Sequence, residues 1–261
     1  INPRLIYCSI TGFGQTGPYA ERAGYDFLIQ GLGGLMSLTG RADGEPGAGP
    51  VKVGVALVDV MTGLYATIAI LAALQERKRT GEGQHIDISL LDVQVACLAN
   101  QASNYLVGGE NPQRMGNAHP NIVPYQEFPT ADGYMILAIG NDGQFTRFCE
   151  DAGHPEWGTD ERFATNPARV ANRAALIPLI EARMRQRPTA AWIASLERRG
   201  VPCGPVNTLS QVFADPQVQA RGLRVEQPVS GDGAVPMVAS PIRLSRTPVT
   251  YRLGPPRLGE H

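Results

Sequence analysis

One acidic residue interrupts the longest apolar run in the sequence. Asp59 lies in Val53–Gly83, VGVALVDVMTGLYATIAILAALQERKRTGEG, and is the only charge between Val53 and Leu74. A carboxylate in such a place can act as a nucleophile or base, or it can accept first-turn amides of a helix. Spacing alone leaves those readings equal. Leu57, Val60, Leu64, Ile68, Leu71 and Leu74 recur at helical spacing, and Gly63, Ala66, Ala69, Ala72 and Ala73 form a second face of small residues. Arg77, Lys78 and Arg79 followed by Gly81 supply a basic last turn and a glycine stop. The expectation is one long helix, buried on most sides, with Asp59 near its start. Val53–Leu74 is also long enough to span a bilayer. A strand-like segment, Gln84–Asp92, follows at once, however, and much of the chain is polar. The central helix of an α/β protein fits better.

Other reactive side chains are less well placed. His85 falls on a strand face as a structural residue, His154 precedes Pro155 in a surface loop, and His261 is the last residue. His119 lies in a polar, glycine-containing loop, Arg114-Met-Gly-Asn-Ala-His-Pro-Asn121, and is the better functional candidate. Ser9, Ser37, Ser89 and Ser103 lack a nucleophile-elbow pattern. Cys8, Cys97, Cys149 and Cys203 are scattered, without CxxC or Cys/His metal-ligand spacing, which points to reduced structural thiols, a cytosol-like compartment and no metal site. Gly12-Phe-Gly-Gln-Thr-Gly17 matches GxGxxG after a strand. No convincing helix follows it, and the acidic partner about 20 residues on is missing from any strand end. As a dinucleotide site the motif is weak; as a loop that lets backbone approach a ligand it is reasonable.

The elements that would position these groups can be read in order. Arg4–Ile10 suits a buried parallel strand, Gly24–Thr39 a helix broken by Gly31, Gly33 and Gly34, and His85–Leu90 a half-buried strand. Asp92–Val107 reads as one helix. After Asn111 the character changes. A hairpin around Asp132-Gly133 joins Pro124–Thr130 to Tyr134–Ile139. Helices over Gly143–Ala152, Arg169–Arg187 and Thr189–Arg199 follow, then Val201–Val206, a helix over Ser210–Gly222, and paired strands around the Ser230–Gly233 turn. The fold class expected is α/β: a Rossmann-like parallel-sheet large domain (1–111 with 207–261) and a smaller α+β domain (112–206).

The 261 residues carry a net charge of -1 with no block of like charge, which gives no footprint for nucleic acid or an anionic membrane. No signal or transit peptide is visible. The chain opens on Asn2-Pro3 and a strand without an initiator Met, so it is expected to be part of a longer chain.

Three long runs carry a family resemblance: NPRLIYCSITGFGQTGPYAERAGYDFLIQGLGGLMSLTG, VGVALVDVMTGLYATIAILAALQERKRTGEGQHIDISLLD and GNAHPNIVPYQEFPTADGYMILAIGNDGQF. Together they resemble the class III CoA-transferases of the CaiB/BaiF type, across essentially the whole sequence, nearest the succinyl-CoA:dicarboxylate branch. Members are longer at both ends. The resemblance implies that Asp59, in Leu57-Val-Asp-Val-Met-Thr-Gly63, attacks an acyl-CoA thioester and passes through an aspartyl anhydride and an aspartyl-CoA thioester. It implies that Ala23, Gly24, Tyr25 and Asp26 contact CoA, although some relatives have lysine where this chain has Ala23. It also implies that the segment with Gly116, Asn117 and His119 covers the aspartate, the Gly116 and Asn117 amides forming an oxyanion hole. That segment has one glycine where the family has a glycine-rich loop. Coenzyme A enters as a substrate, with no tightly bound cofactor, and the working form is an interlocked homodimer in the cytoplasm, acting on acyl-CoA and carboxylic acids, with no nucleic acid or membrane partner.

Three alternatives stand beside CoA transfer, one of them a non-catalytic relative that would bind CoA but leave Asp59 unmodified. A racemase of the same superfamily would want a histidine where this chain has Tyr25, and a glutamate near Asp142. Tyrosine, with an ordinary pKa of about 10, is a poor base at neutral pH. A dinucleotide-dependent oxidoreductase would need Gly12–Gly17 as its phosphate loop.

Overall fold

The computed structural model describes residues 2–229 and 233–260. Its residues pack as two compact units, divided between 127 and 128, 137 and 138, and 179 and 180. One compact unit holds residues 1–127 with 138–179, and the other holds 128–137 with 180–261.

In the first unit β1 (Tyr7–Thr11) pairs in parallel with β2 (His85–Ser89), with Tyr7 opposite His85 and Thr11 opposite Ser89. Between them run α1 (Asp26–Leu32), α2 (Leu35–Leu38) and the 24-residue α3 (Leu57–Thr80). α3 stops at Gly81, whose φ of +82° is the left-handed conformation that favours glycine, as the sequence leads one to expect. α4 (Leu90–Ala96), α5 (Ala99–Gly108), α6 (Asp142–Ala152), α7 (Asn166–Ala171) and most of α8 (Arg173–Met184) complete the unit. The helix expected over Asp92–Val107 is thus two, broken at Cys97 and Leu98. The core beneath the site joins Phe13, Ile29, Val58 and Leu90, with Leu91 packed against them.

Two expectations of burial are corrected. β1 is not buried, for Tyr7 and Ile10 are exposed. Among the described residues the parallel sheet has two strands, so each has one unpaired edge there. Nor is α3 buried on most sides. Its packed side carries Val58, Thr62, Ala66 and Ala73, against α1, α4, β1 and β2. Small residues let α3 approach those elements closely, whereas the large stripe of Val60, Leu64, Ile68 and Leu71 stays more than half exposed. By length and composition alone α3 could cross a membrane.

The second unit contains β4 (Tyr134–Ala138) up to Leu137, antiparallel to β5 (Cys203–Pro205), with Met135 opposite Pro205. β3 (Tyr125–Pro129) precedes β4 in the strand order β3-β4-β5. The expected turn is present, Thr130 N–H donating to the Gly133 carbonyl. α9 (Thr189–Arg198) buries Trp192, whose indole N–H donates to the Met184 carbonyl at 2.9 Å. The helix expected over Ser210–Gly222 divides into α10 (Leu209–Ala214) and α11 (Pro216–Ala220), because the residue before a proline is held extended and Asp215 caps the second piece. β6 (Arg224–Pro228) and β7 (Ala234–Val238) pair antiparallel. Most of the turn expected between them, Ser230 to Asp232, lies outside the described residues.

Candidate active site

Asp59 occupies the first turn of α3 and is exposed, beside Val58, which is anchored in the core. The capping reading of this aspartate can now be decided. Ala56, the residue before α3, has no side chain able to cap, and another carboxylate takes the work. Asp26 Oδ2 accepts the backbone N–H of Val58 at 2.8 Å and that of Asp59 at 3.4 Å. Among the described residues no hydrogen bond or ion pair involves the Asp59 carboxylate, so it is free for chemistry. The positive end of the helix favours an anion by about 0.3–1 kcal/mol. Asp26 takes the direct hydrogen bonds there.

Around Asp26 the expected CoA-contacting stretch is laid out by two close approaches. Gly24 lies against Gly12, and a Cβ on Gly24 would also come within 3.4 Å of the Phe13 ring. Ala23 and Tyr25 are exposed, Tyr25 at 78%, and the Tyr25 carbonyl accepts Ile29 N–H at 3.0 Å to start α1. Asp26 Oδ1 accepts Gln30 Nε2 at 2.6 Å, and the fully buried Gln30 accepts Val53 N–H at 2.9 Å. The segment that leads into α3 is therefore gripped from α1 at Val53, Val58 and Asp59.

The segment expected to cover Asp59 makes a second cluster. Gly116 N–H donates to the Gly40 carbonyl at 3.0 Å, so of the two amides expected to form an oxyanion hole one is engaged, and the other belongs to the exposed Asn117. Arg114 donates to the Arg41 carbonyl at 3.3 Å and forms an ion pair with Asp43, its own side chain 15% exposed. These contacts tie the Arg114 guanidinium down. His119 Nδ1 accepts Asn121 N–H at 3.1 Å, its ring centroid is 5.3 Å from that of Tyr125, and its carbonyl accepts Arg173 at 2.6 Å. Burial, and then the Arg173 charge, lower its pKa below the ordinary 6.5. Among the described residues no hydrogen bond or ion pair joins Gly116, Asn117 or His119 to Asp59.

The glycine loop has a different use from the dinucleotide one. Gly12 meets the backbone of Gly24, not an open ligand space, and α1 begins only at Asp26, nine residues beyond Gly17. No helix N-terminus stands at the third glycine, so the phosphate-binding geometry of that motif is absent from this loop. His85 Nε2 meets Ser9 Oγ at 3.0 Å, and His154 stacks on Trp157 with Nδ1 2.8 Å from Glu156. Among the described residues no cluster of His, Cys, Asp or Glu could hold a metal. Asp142, near which a racemase would want its glutamate, pairs with Arg169 at 2.8 Å.

Sequence reasoning missed Arg169 and the Asp26–Gln30–α3 link. Arg169 is fully buried, donating to the Val123 and Phe163 carbonyls at 2.6 and 2.8 Å. Nothing in its local sequence sets it apart from a surface arginine. For Asp26 a signal was present: Val51–Leu57, which leads into α3, lacks Ser, Thr, Asp and Asn, so the residue before the helix offers no side-chain cap of its own.

The chain matches CoA-transferase family III over residues 1–261. It is 53% identical over 261 residues to the succinate–glutarate CoA-transferase of Agrobacterium fabrum, covering 100% of this chain and 64% of the relative. It is 44% identical to the succinyl-CoA:glutarate CoA-transferase of Mus musculus, covering 100% of this chain and 59% of that protein. A crystal structure of a CAIB/BAIF family protein from Brucella suis shares 55% identity with a TM-score of 0.82, over 100% of this chain and 66% of that one. The chain thus spans 59% to 64% of the length of these curated relatives. The match over its own whole length, in sequence and in fold, makes the chain a member of CoA-transferase family III.

Proposed function

We propose that the whole protein moves CoA from an acyl-CoA to a free carboxylic acid, with Asp59 as the nucleophile. The observation that carries this reading is the division of labour at the head of α3: Asp26 accepts the amides, and among the described residues no hydrogen bond or ion pair occupies the Asp59 carboxylate. The names of the two relatives support dicarboxylates such as succinate and glutarate as donor and acceptor.

The chemistry balances around that one side chain. An Asp59 oxygen attacks the thioester carbonyl, the C–S bond breaks, and a mixed anhydride forms with CoA thiolate released. The thiolate attacks the Asp59 carbonyl carbon, freeing the donor as its carboxylate and leaving an aspartyl-CoA thioester. The acceptor carboxylate attacks that thioester and expels the thiolate again. The thiolate then attacks the acceptor's acyl carbon, giving the new acyl-CoA and the restored Asp59 carboxylate. A carboxylate suits both exchanges because it passes through anhydride and thioester states in turn. The Asn117 amide is the remaining candidate to stabilise the oxyanions.

We further place the protein in the cytoplasm as an interlocked homodimer, with α3 covered by protein rather than lipid. The packed small-residue side of α3 and its exposed stripe of Val60, Leu64, Ile68 and Leu71 support this, since so long an apolar surface calls for a cover. Sedimentation of the full-length protein as a monomer would count against it. For the chemistry, full-length enzyme is mixed with succinyl-CoA and hydroxylamine, and tryptic peptides are weighed. A hydroxamate at Asp59, absent from Asp59→Ala, is the expected result. An unmodified Asp59 alongside normal turnover would remove the mechanism.

A further inference from the structure

We infer that Asp26 is a positioning residue, which fixes the direction of Asp59 by holding the head of α3 from another helix. The inference rests on Asp59 as nucleophile. The geometry assigns every polar atom of the link a fixed sense. Val53 N–H is a donor, so the Gln30 atom facing it at 2.9 Å is the amide oxygen. The other end of Gln30 is then the NH₂ group, which donates to Asp26 Oδ1 at 2.6 Å. Asp26 Oδ2 faces two more donors, the amides of Val58 and Asp59. Asp26 must therefore accept at both oxygens, which an ionised carboxylate does and an asparagine cannot.

The link bears on chemistry through its reach. Two of its contacts fall on Val58 and Asp59 themselves, and Val58 is also a member of the core beneath the site. Reorienting the first turn of α3 would move the nucleophile without touching CoA. Displacements of about 1 Å cost on the order of 100-fold in such reactions.

Reversing the polarity of the link gives a direct test. In full-length Asp26→Asn, the new NH₂ group faces the Gln30 NH₂, and Gln30 cannot turn over without presenting a donor to Val53 N–H. The double variant Asp26→Asn with Gln30→Glu restores the match. One oxygen of the introduced glutamate accepts Val53 N–H, and its other oxygen accepts the NH₂ of the introduced asparagine. The asparagine oxygen then accepts the α3 amides. The charge of the link and its atom count are unchanged. The expected result is a fall in kcat of about 10- to 100-fold for Asp26→Asn with little change in KM for succinyl-CoA. Hydroxamate formation at Asp59 should slow in parallel, and the double variant should recover most of both.

If Asp26 instead contacted CoA, KM would rise and the double variant would not recover it. If the link were only structural, melting would shift while kcat of the folded enzyme held. Either result overturns the inference while unaltered enzyme still labels Asp59. No label in the unaltered enzyme would bring down the nucleophile assignment, and this inference with it.

Discussion

Gly12 and Gly24 touch through their backbones: a Cβ built on either would stand 2.6 Å from the other's Cα. This contact closes the loop after β1 onto the residue two before Asp26, and so sets where the grip on α3 starts. Replacing Gly24 by alanine forces the two strands of backbone apart. Unfolding in urea should show a loss of about 1–3 kcal/mol, the usual cost of overpacking. Gly17 is the contrast, with a φ of +87° but nothing within 4 Å of its Cβ position. Gly17→Ala should lose about 1–2 kcal/mol from backbone conformation alone, and its activity per folded molecule should be retained. Equal losses of activity in both variants would mean that the contact with Gly24 has no special role.

Gly63 lies one helical turn beyond Asp59, and side chains in a helix lean toward its N-terminus. A Cβ there would meet nothing within 4 Å, so the missing side chain leaves the flank of Asp59 bare. Gly63→Ala should stabilise α3 by about 0.5–1 kcal/mol while lowering kcat/KM, and Gly63→Leu should lower it further. Gly108, in α5, also has open space at its Cβ position and is the control: Gly108→Ala should leave turnover unchanged. Undiminished turnover in Gly63→Leu would show that the reacting groups approach Asp59 from another side.

Arg169 is a structural cation. With three acceptors and the Phe145 ring 4.4 Å from its guanidinium carbon, it is satisfied in full burial. Arg169→Met should cost about 3–5 kcal/mol, because two carbonyls lose their donor and Asp142 its partner. Asp142 is half exposed, and Asp142→Asn should cost under about 1 kcal/mol. Similar losses for both would mean that the ion pair, rather than the carbonyl contacts, dominates.

These cases show which parts of the fold were legible and which were not. The glycine stop of α3, the Asp132-Gly133 turn and the β2 strand were readable because their signals are local: a positive φ, a tight turn, a period of two. The stripe of Val60, Leu64, Ile68 and Leu71 was misjudged because periodicity shows that a face is apolar, not what covers it. The break between α4 and α5 carries neither glycine nor proline, and Ala99 there takes a φ of +48° that no propensity foretells. Asp26 was legible as a residue worth naming but not in its role, since its α3 partners lie 32 and 33 positions away.

Cys149, fully buried in α6, has its thiol pKa pushed up to about 12 by burial. In the unfolded chain the thiol titrates near its ordinary 9.0, so the unfolded state sheds this proton first as pH rises. The stabilisation from Cys149 is complete below about pH 9 and is lost progressively toward pH 12. Cys149→Ala, compared by urea midpoint at pH 8 and pH 10, should narrow its deficit at the higher pH. In native buffer Cys149 should resist iodoacetamide until the chain unfolds. Fast labelling of the folded protein would refute the burial argument.

His119 gives the opposite dependence. Its Nδ1 accepts the Asn121 amide, which places the ring proton on Nε2, and protonating Nδ1 would cost that bond. Burial first, and the Arg173 charge second, hold its pKa below the ordinary 6.5. On acidification the unfolded chain takes up the proton before the folded one does. The contribution of a neutral His119 is therefore complete above about pH 6.5 and fades as pH falls through its lower folded pKa. NMR of ring-¹⁵N-labelled protein should show the Nε2–H tautomer at pH 7 and a midpoint below 6.5. His119→Asn should lose its stability deficit relative to the unaltered protein on going from pH 7 to pH 5. A midpoint at or above 6.5 would mean that Arg173 and the Asn121 amide do not hold the ring neutral.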